Sequence, residues 1–283
     1  MVNTTEIADN PQILQVIFSP RKAVQTSPPP HAQDLDITLE DGIKTACRIF
    51  TAEKQAPTII FFHGNGEIIE DYDDIAPMYL EQGLNFAVVE YRGYGWSGGT
   101  PLLSSFLADS NTSFCTVKKW LQEKEYSDAI FVMGRSLGSA CAIDVAIQQK
   151  ENIQGLIIES GFAETLPLAK VLGLDLESMG LKEGETFNNG GKIEQFDKPT
   201  FILHGQYDQL IPMWQAERLH AACGARAKEL QIVPGADHNS LILNGGVIYF
   251  QVIKQFIDKT IGATLDWRAK RKAYKQAQKT SGQ

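Results

Sequence analysis

The chain of 283 residues carries 34 acidic against 26 basic side chains, a formal net charge of −8, with 43% hydrophobic and 21% charged residues, 24 glycines and 12 prolines. These proportions exclude collagenous, coiled-coil and wholly disordered chains, and the length suits two small domains or one large α/β unit with a sizeable core. The acidic balance disfavours a nucleic-acid surface and favours small-molecule partners.

Met1 to Asn10 lacks a basic n-region, and the apolar run Ile13 to Phe18 is too short for a signal core or a membrane span, so a cytoplasmic protein is expected. Cys47, Cys115, Cys141 and Cys223 lie far apart, without a CxxC pair or zinc spacing, which gives no sign of a disulfide framework. Residues 1–33 end in Ser27-Pro28-Pro29-Pro30, which cannot be helical and predicts an N-terminal arm running extended over the surface. Alternation in Leu35 to Leu39 and Thr45 to Phe50 around Glu40-Asp41-Gly42 predicts a hairpin.

From there short, wholly apolar runs alternate with helical stretches, as a parallel sheet covered on both faces requires. Strands are predicted at Thr58–Phe62, Phe86–Tyr91, Ala129–Met133, Gly155–Glu159, Thr200–Leu203 and Glu229–Val233. Crossover helices are predicted at Tyr72–Gln82, Ser104–Glu123, Leu137–Gln149, Met213–Cys223 and Val247–Thr260. The sum is roughly eight strands in one domain over residues 34–262. One connection, residues 160–199, is too long for a plain crossover and is rich in leucine; it reads as a lid or binding loop, or as a helical decoration on the sheet edge. The tail, 263–283, is basic and helix-permissive, and reads as a solvated terminal helix or a weak membrane-surface contact.

Gly134-Arg135-Ser136-Leu137-Gly138 fits G-x-S-x-G between an apolar strand and an amphipathic helix. A strand turning sharply into a helix strains the serine and leaves no room for bulk two residues either side, which presents Ser136 as a nucleophile. Gly95-Trp96-Ser97-Gly98-Gly99 matches as well, but Thr100 and Pro101 follow it and deny the immediate helix, so Ser97 is the weaker candidate. Gly93 to Gly98 also spells G-x-G-x-x-G; no helix opens at its third glycine, so dinucleotide binding is rejected.

A serine hydroxyl needs a base and a group to orient that base. Of five histidines, His31 lies in the arm, His220 within a helix, and His63 and His204 at strand ends where they could support loops. His238 follows the last strand, at the carboxyl edge where the loops of a parallel sheet meet, and is the candidate base. Asp208, after the penultimate strand, is the candidate orienting acid, with Glu159 and Asp237 as rivals. Candidate donors for a developing oxyanion are the N–H of Leu137 and, from the glycine-rich Phe62 to Gly66 loop, the N–H of Asn65; a mere tight turn is the alternative there.

Taken in order, the His63-Gly64 loop, the Tyr91 to Gly95 loop, the Ser136 elbow, Asp208 and His238 resemble the α/β-hydrolase superfamily over residues 34–260. The resemblance implies a mostly parallel eight-stranded sheet with helices on both faces and a short lid. It is similar within that superfamily to small, short-lidded serine hydrolases such as lysophospholipid-type esterases and protein depalmitoylases, with serine aminopeptidases more distant. Dehalogenase relatives place Asp at the elbow, which Ser136 argues against. The expected chemistry is hydrolysis of an ester or thioester with an apolar acyl group, with no metal or organic cofactor. Small-peptide or amide hydrolysis, and a non-catalytic binding protein on the same fold, are the alternatives.

Overall fold

β3 (Thr58–Phe62), β4 (Asn85–Val89), β5 (Ile130–Arg135), β6 (Gly155–Glu159) and β7 (Thr200–Gly205) are almost wholly buried along their length, because helices cover both faces of the sheet they form. The structure, a computed structural model, describes residues 9–263; the expectation for the basic tail beyond Ala263 falls outside the described residues. The eight strands run in the order β1-β2-β4-β3-β5-β6-β7-β8, with β1 (Ala32–Thr38) and β2 (Lys44–Phe50) antiparallel and β3 to β8 (Lys228–Val233) parallel.

Alternate side chains of each strand feed two cores. Ile60, Phe62, Val132 and Ile158 pack on one face, and Ile59, Phe61, Phe131, Met133 and Ile157 on the other. After β3 the chain steps to β4 on one side, then returns past β3 to β5 on the other. That reversal opens a crevice at the carboxyl ends of β3 and β5, where ligands of open α/β sheets bind. The loop His63 to Gly66 and Ser136 both emerge there.

Helices α3 (Leu103–Glu123), α4 (Gly138–Gln148) and α7 (Met213–Ala222) match the predicted spans to within a residue or two. Others differ. The expected helix over 72–82 is a 3₁₀ turn at Ile69–Tyr72 followed by α2 (Ala76–Glu81), since Pro77 is tolerated only in a first turn. The last helix, α8 (Leu241–Thr260), begins six residues before its predicted start and kinks at Gly246, whose φ is 50°. β1 starts at Ala32, three residues before its prediction.

The largest departure is at the N-terminus. Residues 27–30 are free of regular structure, as their prolines dictate, but α1 (Pro11–Ile17) is helical and is not a surface arm. The Asn10 side chain accepts from the Gln12 N–H at 2.9 Å and Pro11 occupies the first turn, two helix-start signals that the prolines further on obscure. Ile13, Ile17 and Phe18 are buried in the main core, and Phe18 meets Phe106 edge to face at 5.2 Å. The long connection between β6 and β7 holds α5 (Thr165–Val171), a 3₁₀ turn at Glu183–Glu185 and α6 (Asn189–Ile193), and its Ala169, Leu176, Leu181 and Phe187 join that same core.

Candidate active site

Ser136 adopts φ 52°, a left-handed conformation that a non-glycine residue rarely takes, between β5 and α4. The turn is tight enough that a Cβ on Gly134 would lie 2.2 Å from the Gly138 carbonyl oxygen, and one on Gly138 would lie 2.1 Å from that of Phe62. Both flanking glycines are therefore required by backbone packing, as the spacing predicts. The Ser136 N–H donates to the Glu159 carbonyl at 2.9 Å, which ties the elbow to the end of β6.

β7 and β8 pair through Gly205↔Val233, and beyond the ladder Gln206 N–H donates to Val233 O at 3.1 Å and Tyr207 N–H to Ala236 O at 2.8 Å. These bonds carry the two loops together, so that residues 30 positions apart meet. His238 Nδ1 lies 2.7 Å from Asp208 Oδ2, and His238 Nε2 lies 2.9 Å from Ser136 Oγ. Because the carboxylate only accepts, Nδ1 is the donor and Nε2 is left to accept the serine proton. The other Asp208 oxygen accepts the N–H groups of Leu210 at 3.1 Å and Ile211 at 2.8 Å, which fixes the carboxylate. Ser136, His238 and Asp208 are all buried, at 8%, 8% and 6% exposure.

The rivals are engaged elsewhere. Ser97 is buried and its Oγ accepts the Ala46 N–H at 3.0 Å, a role in holding β2 to the loop after β4. Asp237 accepts from Ser240 Oγ at 2.7 Å and from the Asn239 N–H at 3.0 Å. Glu159 receives the Tyr249 hydroxyl at 2.6 Å and faces Arg135 Nε at 3.3 Å; burial raises its pKa, opposed by Arg135 and the Tyr249 bond. His204 donates Nε2–H to the Ile211 carbonyl at 2.7 Å, and burial lowers its pKa, leaving it a neutral support of the Asp208 loop.

His63 is different. Its Nδ1 is 2.8 Å from the Gly64 carbonyl and its Nε2 is 2.9 Å from Glu90 Oε1, so both ring nitrogens face acceptors and both must donate. Burial opposes protonation of the ring, but the Glu90 hydrogen bond and charge outweigh it and the pKa is raised. The buried His63–Glu90 pair underlies the loop that carries Asn65. The Asn65 side chain accepts from Tyr94 Oη at 2.6 Å and the Ser19 N–H at 2.8 Å. The backbone N–H groups of Asn65 and Leu137 donate to nothing among the described residues, and both residues line one cavity with Ser136.

Sequence reasoning missed Arg135, the variable residue inside G-x-S-x-G. Its guanidinium donates to the His238 carbonyl at 2.8 Å and to Asn239 Oδ1 at 3.0 Å, and pairs with Glu67 as well as Glu159. Glu67 in turn accepts the Gly64 N–H and the Tyr72 hydroxyl, each at 2.6 Å. A Cβ on Gly64 would lie 2.6 Å from the guanidinium, so glycine is what lets the cation reach this loop. Burial disfavours the Arg135 charge, yet Glu67 and Glu159 more than compensate and its pKa is raised. One cation thus joins the elbow, the base loop and the Asn65 loop.

The cavity beside Ser136 holds about 70 Å³ and is walled by Ile17, Phe162, Leu168, Leu172 and Phe187 among others, mostly from α1 and the β6–β7 connection. A larger groove of about 880 Å³, whose lining includes Asp36, Glu40, Asn111, Cys115, Lys119 and Asp144, lies apart from these residues. Among the described residues no cluster of His, Cys, Asp or Glu could hold a metal ion, and no helix is long and apolar enough to cross a membrane.

Comparison with known proteins adds the class. Residues 53–176 match the family model described as serine aminopeptidase, S33, a span that contains the elbow but neither Asp208 nor His238. Protein bem46 of Schizosaccharomyces pombe is 30% identical over 208 residues, covering 71% of this chain and 67% of the relative. The alpha/beta hydrolase domain-containing protein WAV2 of Arabidopsis thaliana is 26% identical over 245 residues, covering 80% and 79%. Among solved structures, the Pyrococcus furiosus esterase Pf2001 aligns with a TM-score of 0.69 at 21% identity, covering 86% of this chain and 99% of that one. The chain belongs to the α/β-hydrolase superfamily and falls in the hydrolase class.

Proposed function

We propose that the protein is a serine hydrolase that cleaves carboxylic ester or thioester bonds of small substrates carrying an apolar acyl group. The observation that carries this reading is the hydrogen-bonded chain from Asp208 through His238 to a strained Ser136 that lines an apolar cavity. His238 Nε2 takes the hydroxyl proton as Ser136 Oγ attacks the acyl carbonyl, and Asp208 stabilises the imidazolium. The carbonyl oxygen, now negative, is received by the N–H groups of Leu137 and Asn65; each such donor is worth roughly 10²–10³ in rate. The imidazolium returns its proton to the leaving alkoxide or thiolate. Water, deprotonated by His238, then attacks the acyl-serine, releasing the carboxylic acid and restoring Ser136.

The family description favours a second reading, cleavage of small peptides, which the same groups can perform if His238 protonates a leaving amine. An aminopeptidase needs an anionic grip on the substrate α-amino group, and among the described residues no Asp or Glu lines the cavity at Ser136. That lining supports the ester reading. Hydrolysis of p-nitrophenyl butyrate by the wild type, with turnover lowered about 10⁴-fold or more in Ser136→Ala, is the expected result; an unchanged rate in the variant contradicts the assignment.

A further inference from the structure

A second apolar cavity, of about 100 Å³, adjoins the one at Ser136. It does not reach the serine, and its walls include Ile13 from α1, Leu103 and Leu107 from α3, and Leu176 and Leu181 from the β6–β7 connection. Three side chains belong to both cavities: Ile17, Thr165 and Phe187. We propose that the two cavities form one acyl-binding duct, with the outer cavity as a distal subsite for the tail of a neutral, unbranched acyl chain and Ile17 and Phe187 setting the constriction between them. This rests on the ester reading above.

Ligand sites are concave and mostly apolar with a few polar groups, and two adjoining apolar cavities, the inner one against the candidate nucleophile, have that character. The junction also holds an unpartnered polar atom. Thr165 is 4% exposed and its Oγ1 has no hydrogen-bond partner among the described residues, although its N–H is bonded to Glu183 at 2.7 Å. A buried hydroxyl without a partner is costly unless a water reaches it, which the duct permits.

The outer cavity is lined at Glu185 and Thr186 by polar groups, so a carboxylate-ended chain would meet like charge there while a neutral tail would not. The wall from α1 is held in place at both ends. Asp9 accepts the Ser104 N–H at 3.1 Å, and the Ser19 N–H donates to Asn65, whose backbone N–H is assigned to the oxyanion. The segment that closes the duct is thereby tied to the reacting end of the site.

The test is the ratio of kcat/KM for p-nitrophenyl decanoate to that for p-nitrophenyl acetate, in the wild type and three variants. Each methylene moved out of the apolar cavity should cost up to about fourfold. Leu107→Trp and Leu181→Trp, which fill the outer cavity from two different elements, should each lower the ratio at least tenfold, and Ile17→Ala should raise it several-fold by widening the constriction. Ratios within twofold of wild type in all three overturn the duct while leaving the ester reading intact. No turnover of either ester by the wild type overturns the ester reading and the duct together.

Discussion

The two halves of the site are built on opposite principles. On the side of the reacting groups, nearly every polar atom is committed: Arg135 alone ties Glu67, Glu159, the His238 carbonyl and Asn239, and Glu67 goes on to hold the Gly64 N–H. On the opposite side, α1 and the β6–β7 connection face the same serine with aliphatic and aromatic side chains and leave open volume among them. A directional network fixes atoms to within fractions of an ångström, which proton transfer demands, whereas non-directional apolar contacts tolerate occupants of different length. On the proposed reading, geometry belongs to the first half and selectivity to the second.

Disturbing the polar half should produce the larger losses. Asp208→Asn keeps the shape of the carboxylate but lets the side chain donate where it should accept, which favours the wrong His238 tautomer; kcat is expected to fall by about 10⁴-fold, measured on an activated ester. Arg135→Lys is subtler. It preserves the charge but loses the planar fork that serves four partners at once, so the His238 loop is held less firmly. A fall in kcat of about 10- to 100-fold with KM changed less than threefold is expected, since a small misplacement of the base affects the transition state and not the binding of the acyl chain. Equal changes in KM would place Arg135 in the binding half instead.

The smallest effect expected is on stability. His63, whose folded pKa is raised above 6.5, contributes most when protonated beside Glu90. A raised histidine pKa gives stabilisation that is fully present below the unfolded value and is lost as pH rises through the folded value. The urea midpoint of the wild type should therefore exceed that of His63→Gln most clearly below pH 6.5 and approach it on moving to alkaline pH. A constant difference across that range would mean that folding leaves the pKa of the ring unchanged.

The polar half was also the more legible from sequence, though not completely. Ser136, His238 and Asp208 could be expected to meet because each sits at a strand end with turn chemistry around it, and the parallel sheet dictates that such ends share an edge. Apolar runs located β3 to β7 because burial on both faces leaves no alternation to misread, whereas the hairpin of β1 and β2 was found by its alternation. Arg135 and Glu67 carried no such mark: one is the unspecified residue of a motif, the other a surface-type acid, and only the three-dimensional arrangement pairs positions 68 apart. The apolar half was harder still. The leucines of residues 160–199 suggested a covering element, but the duct depends on Ile17, and α1 was masked by the prolines that follow it. A helix of seven residues has too few turns for its periodicity to outweigh such neighbours.

The most direct test of the account is to treat the wild-type protein with a fluorophosphonate and map the modified peptide by mass spectrometry. The account predicts a single stoichiometric adduct on Ser136, strongly slowed in Asp208→Asn. An adduct on Ser97 or another serine, or no adduct under conditions where a control serine hydrolase is fully labelled, would contradict it.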